Sequence, residues 1–350
     1  MNMQYPTLSV IMSNYNHACY LPTALDAILS QSYQPKEVII VDDASKDNSV
    51  EILESYLSKH KFIKIIRNEI NLGVAINGNR LLEYATGDYI YGAAADDKVL
   101  PGLFEKSMNL LKQYPQAGLS SGLALRMNID GENVGLDYLP IVSKKSVYFS
   151  PEQCSAMICK YDNWIHSSAT IFRRDALLSA GGFIPELRSY CDVFAGFVIA
   201  LRHGVCYIPE PLSAFRITGS NYRSIFERQP ELLFEHRDNI ISLINSSYVG
   251  LFPNEFTEEI GRTATYNYNR VYCLSPLDVY NERLKHIKEL RTPLSGFLRG
   301  TMHLLLHFEK FISKIYIFVH SRRKIYYPVF RKILKFSHSF GTRKYRQFKI

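Results

Sequence analysis

Two pairs of adjacent carboxylates, Asp42-Asp43 and Asp96-Asp97, each follow a short apolar run. Hard oxygen ligands projecting into a crevice are what a divalent cation carrying phosphates requires. Each pair also suits a plainer task. Asp42-Asp43-Ala44-Ser45 precedes a helical pattern from Ser49, and Asp96-Asp97 precedes a helical pattern after Pro101, so either can supply a helix N-cap. A third apolar run ends in Ser13-Asn14-Tyr15-Asn16, which offers a hydroxyl, two amides and an aromatic ring. The flat face of Tyr15 suits stacking on a nucleotide base, and it suits core packing as well.

Strands and helices in strict alternation must position these groups. Leu8 to Met12, Glu37 to Val41, Phe62 to Ile66 and Tyr89 to Ala93 read as strands, and Leu21 to Gln31, Ser49 to Lys59 and Ala75 to Tyr84 as helices between them. This order predicts an α/β fold, a mostly parallel sheet with right-handed crossovers and helices on both faces. Ligands of such sheets bind outside the carboxyl ends of the strands, where all three polar clusters fall. Beyond Pro101 the pattern predicts a helix to about Tyr114, a strand near Leu119, and a surface loop over Asp130 to Ser150. Ala169 to Phe172 and Val205 to Ile208 read as further strands, flanking the Gly181-Gly182 break and a helical run to His203. From about Pro230 the chain reads as mainly helical. The expected division is an α/β domain over 1–229 and a helical region over 230–350.

The apolar share of 47% and the charged share of 21% in 350 residues are those of a globular chain able to bury a sizeable core. The first apolar run is too short for a signal-peptide core, and the six cysteines form no C-x-x-C pair. Both features point to a reducing, cytoplasmic setting. The net charge of +8 is unevenly spread: residues 299–350 hold thirteen Lys and Arg against one Glu, while the first 298 hold 28 basic against 32 acidic residues.

In order along the chain stand Ser9-Val-Ile-Met-Ser-Asn-Tyr-Asn16, Gln31-Ser-Tyr33, Glu37-Val-Ile-Ile-Val-Asp-Asp-Ala-Ser45, Asn71-Leu-Gly73, Ala85-Thr-Gly-Asp-Tyr-Ile90, Asp96-Asp97 with Pro101, and Gly181-Gly-Phe183. In this ordered set, from about Thr7 to Asn221, the sequence resembles the family 2 glycosyltransferases, inverting enzymes with a GT-A fold. The resemblance implies a nucleotide-diphosphate sugar as donor and Mg²⁺ or Mn²⁺ as cofactor. It implies that Ser13, Tyr15, Asn16, Asp43 and Asn71 hold the donor, with Tyr15 against the base and Asp43 bonded to base or ribose. Asp96 matches the metal-binding aspartate of the family's D-x-D element, and Asp97 is a further donor contact, a second ligand or a cap. Asp192, after Cys191, matches the general base that takes the acceptor proton; it also suits a cap on the helix from Val193. Arg216 matches a position near the diphosphate, where a guanidinium pairs with phosphate oxygens. Trp164 and His166 are candidates for the acceptor side, Trp164 equally for the core. Three positions depart from the family pattern: Ala94 replaces the first aspartate of the element, Cys191 replaces an acidic residue, and Thr218 replaces a histidine.

From Phe297 to Phe340 apolar and aromatic residues alternate with Lys and Arg, with Glu309, Lys310 and Lys314 interrupting any span of about twenty apolar residues. A basic amphipathic segment of this kind suits the interface of an anionic membrane, or a solvated appendage or oligomer contact. The N-terminal domain carries no nucleic-acid motif, so nucleic acid is not an expected partner. The resulting reading is inverting transfer of a sugar to a hydroxyl of a lipid-linked or surface glycan, by a cytoplasmic protein seated peripherally on the inner face of the cell membrane. Two alternatives stand beside it: a nucleotide-binding module that has lost catalysis, and a sugar nucleotidylyltransferase. The latter needs a Gly-rich phosphate loop after the first strand, and Ser13-Asn-Tyr-Asn16 offers none.

Overall fold

The computed structural model describes residues 5–137, 139–161, 163–218 and 232–256. Strands β1 (Leu8–Asn14), β2 (Glu37–Asp42), β3 (Ile63–Arg67) and β4 (Tyr89–Ala94) are parallel, joined through helices α1 (Leu21–Leu29), α2 (Ser49–Leu57) and α3 (Val74–Tyr84). Their near-continuous apolar runs reflect burial on both faces. Leu8, Val10, Met12, Val38 and Ile40 pack into one core, and Ile11, Ile39 and Val41 into the other. Downstream come β5 (Lys98–Val99), α4 (Leu103–Gln113), β6 (Leu119–Met127), β7 (Asn133–Leu136), β8 (Val147–Phe149), α5 (Pro151–Tyr161), β9 (Thr170–Arg173), α6 (Arg174–Ser179), α7 (Cys191–His203), β10 (Val205–Arg216) and α8 (Leu232–Ser246).

The sheet runs β3-β2-β1-β4-β9-β6-β10-β5, with β7 on the side of β6 and β8 on β10. From β1 the chain steps outward to β2 and β3, then α3 returns it to β4 on the other side of β1. That reversal opens a crevice at the carboxyl ends of β1 and β4. The expected mostly parallel α/β sheet is present, with β9 antiparallel in its interior between β4 and β6, and β5, β7 and β8 antiparallel to the strands they pair with.

Other expectations need correction. Residues 130–150 are not one surface loop, because β7 and β8 pair antiparallel with β6 and β10 within them. The strand expected at Val205 to Ile208 continues to Arg216, passing Pro209 and Pro211 through two register irregularities against β6. Proline lacks the ladder donor, so such breaks are where it is tolerated.

The chain divides into two compact units, one of Met1–Arg228 with Glu235–Gly261 and one of Gln229–Phe234 with Arg262–Ile350. The boundary expected at 229/230 and the basic tail at 297–340 lie outside the described residues. Within the first unit, Ile240, Ile244, Tyr248, Phe252 and Phe256 join the same core as Trp164 and Phe197.

Two local devices hold the halves of this unit in place. At the amino ends of the strands, the buried Glu37 carboxylate accepts bonds from Ser9 Oγ on β1 at 2.8 Å, from the Thr86 amide and hydroxyl at 2.7 and 2.8 Å, and from Lys64 Nζ on β3 at 2.7 Å. Near the carboxyl ends, Asn79 of α3 reads the Gly181-Gly182-Phe183 turn, its amide donating to the Phe183 carbonyl at 2.7 Å and its oxygen accepting from the Phe183 N–H at 2.8 Å. Gly182 has φ +67°, and a Cβ there would meet Asn79 Oδ1 at 2.5 Å.

Gly182→Ala is therefore expected to lower stability by about 2 kcal/mol, from left-handed strain and displacement of Asn79, read from the shift of a urea-unfolding midpoint. Glu37 gives a second test. Burial alone would raise its pKa, but bonds from Lys64, Thr86 and Ser9 outweigh it and bring it down to about 2. A depressed carboxylate adds stability that is present above the ordinary pKa of 4.5 and is lost as pH falls towards 2. Glu37→Gln should flatten that acid limb of the unfolding free energy and lower the neutral-pH plateau by a few kcal/mol, on the order of the linkage value.

Candidate functional site

The loops after β1 and β2 are laced together around Asp42. Its Oδ1 accepts from the Asn14 amide at 2.9 Å and its Oδ2 from the Ser45 N–H at 3.1 Å. Ser45 Oγ in turn accepts from the Asn16 N–H at 3.0 Å, and Asn16 Oδ1 accepts from the Lys46 N–H at 2.7 Å. Asn16 (φ 56°) and Ala44 (φ 62°) take left-handed backbone to make these bonds. The buried oxygen of Asn14 has no hydrogen-bond partner among the described residues.

Asp43 faces the other way and clamps the loop after β3. Its Oδ1 accepts from Asn68 Nδ2 at 2.7 Å and the Leu72 N–H at 2.8 Å, and its Oδ2 from the Gly73 N–H at 2.9 Å. Burial pushes the carboxyl up, yet bonds from Leu72, Asn77, Asn68 and Gly73 hold it below the usual range. The sequence expectation has Asp43 open to base or ribose. Here its acceptor sites are largely taken by the protein, and what it directly orders is the segment 68–73, with Asn71 exposed upon it. Tyr15 is 43% exposed, so its ring is a rim surface and not core.

Ser13 on β1 stands in register with Ala94 on β4, which sets the second carboxylate pair beside the first loops. Asp96 and Asp97 form a tight turn between β4 and β5. They do not cap α4, whose N-cap is Gly102 with no side-chain bond. Asp97 Oδ1 accepts from the Arg216 N–H at 2.9 Å, and the Asp96 carbonyl accepts from Arg216 Nε at 3.0 Å. Burial first, then the Asp96 charge, pushes the Asp97 carboxyl up to about 8. The Asp96 carboxylate itself is half-buried, with no hydrogen-bond partner among the described residues.

Arg216, expected at the diphosphate, is buried. Its guanidinium donates to the carbonyls of Asn128 and Ile129 at 3.1 and 2.7 Å and lies 4.3 Å over the Tyr20 ring. It braces the Asp96 turn from behind. Trp164 is fully buried, edge-on to Phe149 and Tyr207, and is core. His166 is buried against Asp137, Nδ1 to Oδ2 3.5 Å.

Asp192 lies in the first turn of α7, where its Oδ1 accepts from the Val193 N–H at 2.7 Å. Burial raises its pKa, opposed by bonds from Val193 and the Ser167 hydroxyl. A raised carboxylate is what a general base near neutral pH needs. A cleft of about 440 Å³ opens between α3 and the turn leading to α7, lined by Leu72, Gly73, Val74, Pro185, Arg188 and Asn239 among others. Two positions that sequence reasoning passed over thus shape the rim: Asn68 and Asn77. Asn68 directly follows β3, and the rule that marked the other strand ends would have found it.

The family model described as glycosyl transferase family 2 matches residues 9–133. An uncharacterized glycosyltransferase of Haemophilus influenzae is 40% identical over 111 residues, covering 32% of this chain and 44% of the relative. The putative teichuronic acid biosynthesis glycosyltransferase TuaG of Bacillus subtilis is 33% identical over 120 residues, covering 34% and 48%. The chain thus spans less than half the length of either. Among solved structures, S. aureus TarS 1-349 in complex with UDP-GlcNAc aligns with a TM-score of 0.56 at 17% identity, over 75% of this chain and 72% of that one. The mannosyltransferase PcManGT of Pyrobaculum calidifontis, in complex with GDP-Man and Mn²⁺, aligns with a TM-score of 0.54 at 18% identity, over 87% and 81%. At these identities the two structures bear on fold, and they bear out the GT-A-type expectation.

Asp43→Ala is expected to release the segment it clamps: amide exchange at Leu72 and Gly73 should accelerate at least tenfold while exchange in β1 stays slow, measured by hydrogen–deuterium exchange. The factor corresponds to about 1.4 kcal/mol, within the range for removing a buried charge-assisted acceptor.

Proposed function

We propose that the chain, whose residues 9–133 match the glycosyl transferase family 2 model, is a glycosyltransferase that moves a sugar from a nucleoside diphosphate to an acceptor hydroxyl with inversion. The observation carrying this reading is the Asp96 carboxylate, with no hydrogen-bond partner among the described residues, beside Asp97 on a braced turn at the reversal between β1 and β4. Two like-charged carboxylates held together at a crevice favour a cation there.

The residues fit a divalent metal held by Asp96. Among the described residues no group of three or more His, Cys, Asp or Glu converges, in keeping with Thr218 in place of the family's histidine, so diphosphate and water would complete the coordination. When bound, Mn²⁺ or Mg²⁺ supplies Lewis-acid stabilisation of the leaving diphosphate. The chain's own part is to seat the donor: Tyr15 offers a stacking face, Ser13 and Asn16 line the β1 end, and the segment ordered by Asp43 presents Asn71. Asp192 accepts the proton of the acceptor hydroxyl as its oxygen bonds to the anomeric carbon and the bond to diphosphate breaks. The cleft lined by Pro185, Glu186 and Arg188 lies along the segment that precedes that base in the chain.

The acceptor in this reading is a growing surface glycan, lipid-linked, with the basic segment at 297–340 docking on anionic lipid from the cytoplasmic side. The similarity to TuaG, a putative teichuronic acid biosynthesis glycosyltransferase, supports the glycan part, and the charge pattern of the sequence supports the docking. No helix among the described residues is long and apolar enough to cross a membrane.

Nucleoside diphosphates should bind the wild-type protein more tightly with Mn²⁺ than without, and Asp96→Ala should abolish that increment, by isothermal titration; binding equal in both proteins would remove the donor-site reading. With a bound donor identified, Asp192→Asn should lower turnover by about 10²-fold or more with donor affinity unchanged, the scale of a lost general base. Donor binding with no turnover in the wild type would instead identify an inactive module.

A further inference from the structure

Tyr15 turns its ring to solvent from the short loop between β1 and α1. Its side chain makes no hydrogen bond, ion pair or ring contact among the described residues, so the ring stands where its backbone sends it. That backbone is held on both sides. The peptide entering Tyr15 is fixed through the Asn14 carbonyl, which accepts from the Asp43 N–H at 2.8 Å. The peptide leaving it is fixed through the Asn16 N–H, which donates to Ser45 Oγ at 3.0 Å. Because peptide groups are planar, holding both of them sets φ and ψ of the residue between. Of the two restraints, only the second depends on a side chain.

Ser45 is built for that task. Its Oγ also accepts from Asn14 Nδ2 at 3.2 Å, so one hydroxyl grips the residues immediately before and after Tyr15, and the two donors occupy both of its lone pairs. Its own N–H is anchored at 3.1 Å on Oδ2 of the buried Asp42, whose Oδ1 accepts from the same Asn14 amide. The loop beyond is held from the same segment: the Lys46 N–H donates to Asn16 Oδ1 at 2.7 Å, and Asp47 Oδ2 accepts from the Ala18 N–H at 2.9 Å. These bonds keep Asn16 in left-handed backbone, φ 56°, a conformation asparagine visits more readily than most residues but still does not favour unaided.

We propose that Ser45 is the positioning residue of the donor seat, fixing the peptide that leaves Tyr15 and so holding the ring ready to stack on the base of a nucleoside diphosphate. A ring ordered before the base arrives avoids the cost of ordering it on binding. Ser45 acts through Tyr15 and not by contact with the nucleotide. This proposal rests on Tyr15 being the stacking face of the donor site.

Binding of UDP and GDP to the full chain, with and without Mn²⁺, tests it by isothermal titration. Ser45→Ala should weaken the nucleotide that binds by about fivefold to tenfold, the scale of one or two net hydrogen bonds, and Ser45→Thr, which keeps the oxygen, should restore it. The factor by which Mn²⁺ tightens binding should stay at its wild-type value, because Asp96 sets it. Tyr15→Ala should weaken binding by about fivefold or more, the scale of a lost stacking face, and adding Ser45→Ala to it should change affinity by no more than about twofold. A merely structural effect of Ser45 would instead be equal in both backgrounds, and that result, or wild-type affinity in Ser45→Ala, overturns the proposal. Tyr15→Ala binding as tightly as wild type removes the stacking reading and the proposal with it, while leaving the Mn²⁺ increment at Asp96 standing. The unsubstituted chain supplies a second readout by hydrogen–deuterium exchange: the Asn16 amide should exchange about tenfold more slowly than that of His17, and equal rates overturn the role of Ser45.

Discussion

Asp42 and Asp43 are both withdrawn from water, and a buried carboxylate is tolerated only when its oxygens are bonded. Meeting that requirement shapes the rim. Asp42 takes its donors from Asn14 and Ser45, drawing the β1 loop onto the β2 loop; Asp43 takes its donors from Asn68, Leu72 and Gly73, drawing in the loop after β3. Two adjacent residues thereby organise three strand ends in opposite directions. The left-handed backbone at Asn16 and Ala44 is the local strain this arrangement holds.

The second carboxylate pair is organised differently. Asp97 is satisfied in part by the Arg216 amide, while the half-buried Asp96 gives its carbonyl to the same arginine. Arg216 thus braces the turn, its guanidinium also donating to two further main-chain carbonyls and lying over the Tyr20 ring. Asp192 sits on a separate helix under a third regime, in which burial raises it and the Val193 N–H opposes that rise. Each of these carboxylates draws a different supply of donors from the fold.

Much of this was legible in the sequence. The apolar runs at Leu8, Glu37 and Tyr89 located their strands to within two residues, and the strand-end rule pointed to Asp43, Asp96 and Tyr15. What escaped was everything set by pairing across long separations. Nothing in Thr170–Arg173 says that it enters the sheet backwards between β4 and β6, and nothing in the polar stretch 130–150 says that β7 and β8 find partners there. Arg216 showed the same limit: its type and place fit a phosphate contact, but five planar donors also fit clustered carbonyls, and only the fold decides between them.

The placement of β9 and β10 also bears on how the chain comes together during synthesis. The first four strands can pair as soon as residue 94 is available, but one edge of β4 then stays open until Thr170–Arg173 arrives to cover it. An uncovered central strand is a template for pairing with another chain, so this interval is where a nascent chain is most exposed to misassembly. The Asp96 turn waits longer still, because the arginine that braces it is 120 residues downstream. A ribosome-bound chain therefore pairs β1 to β4 long before the Asp96 turn is braced, and that bracing comes only with the last residue of β10.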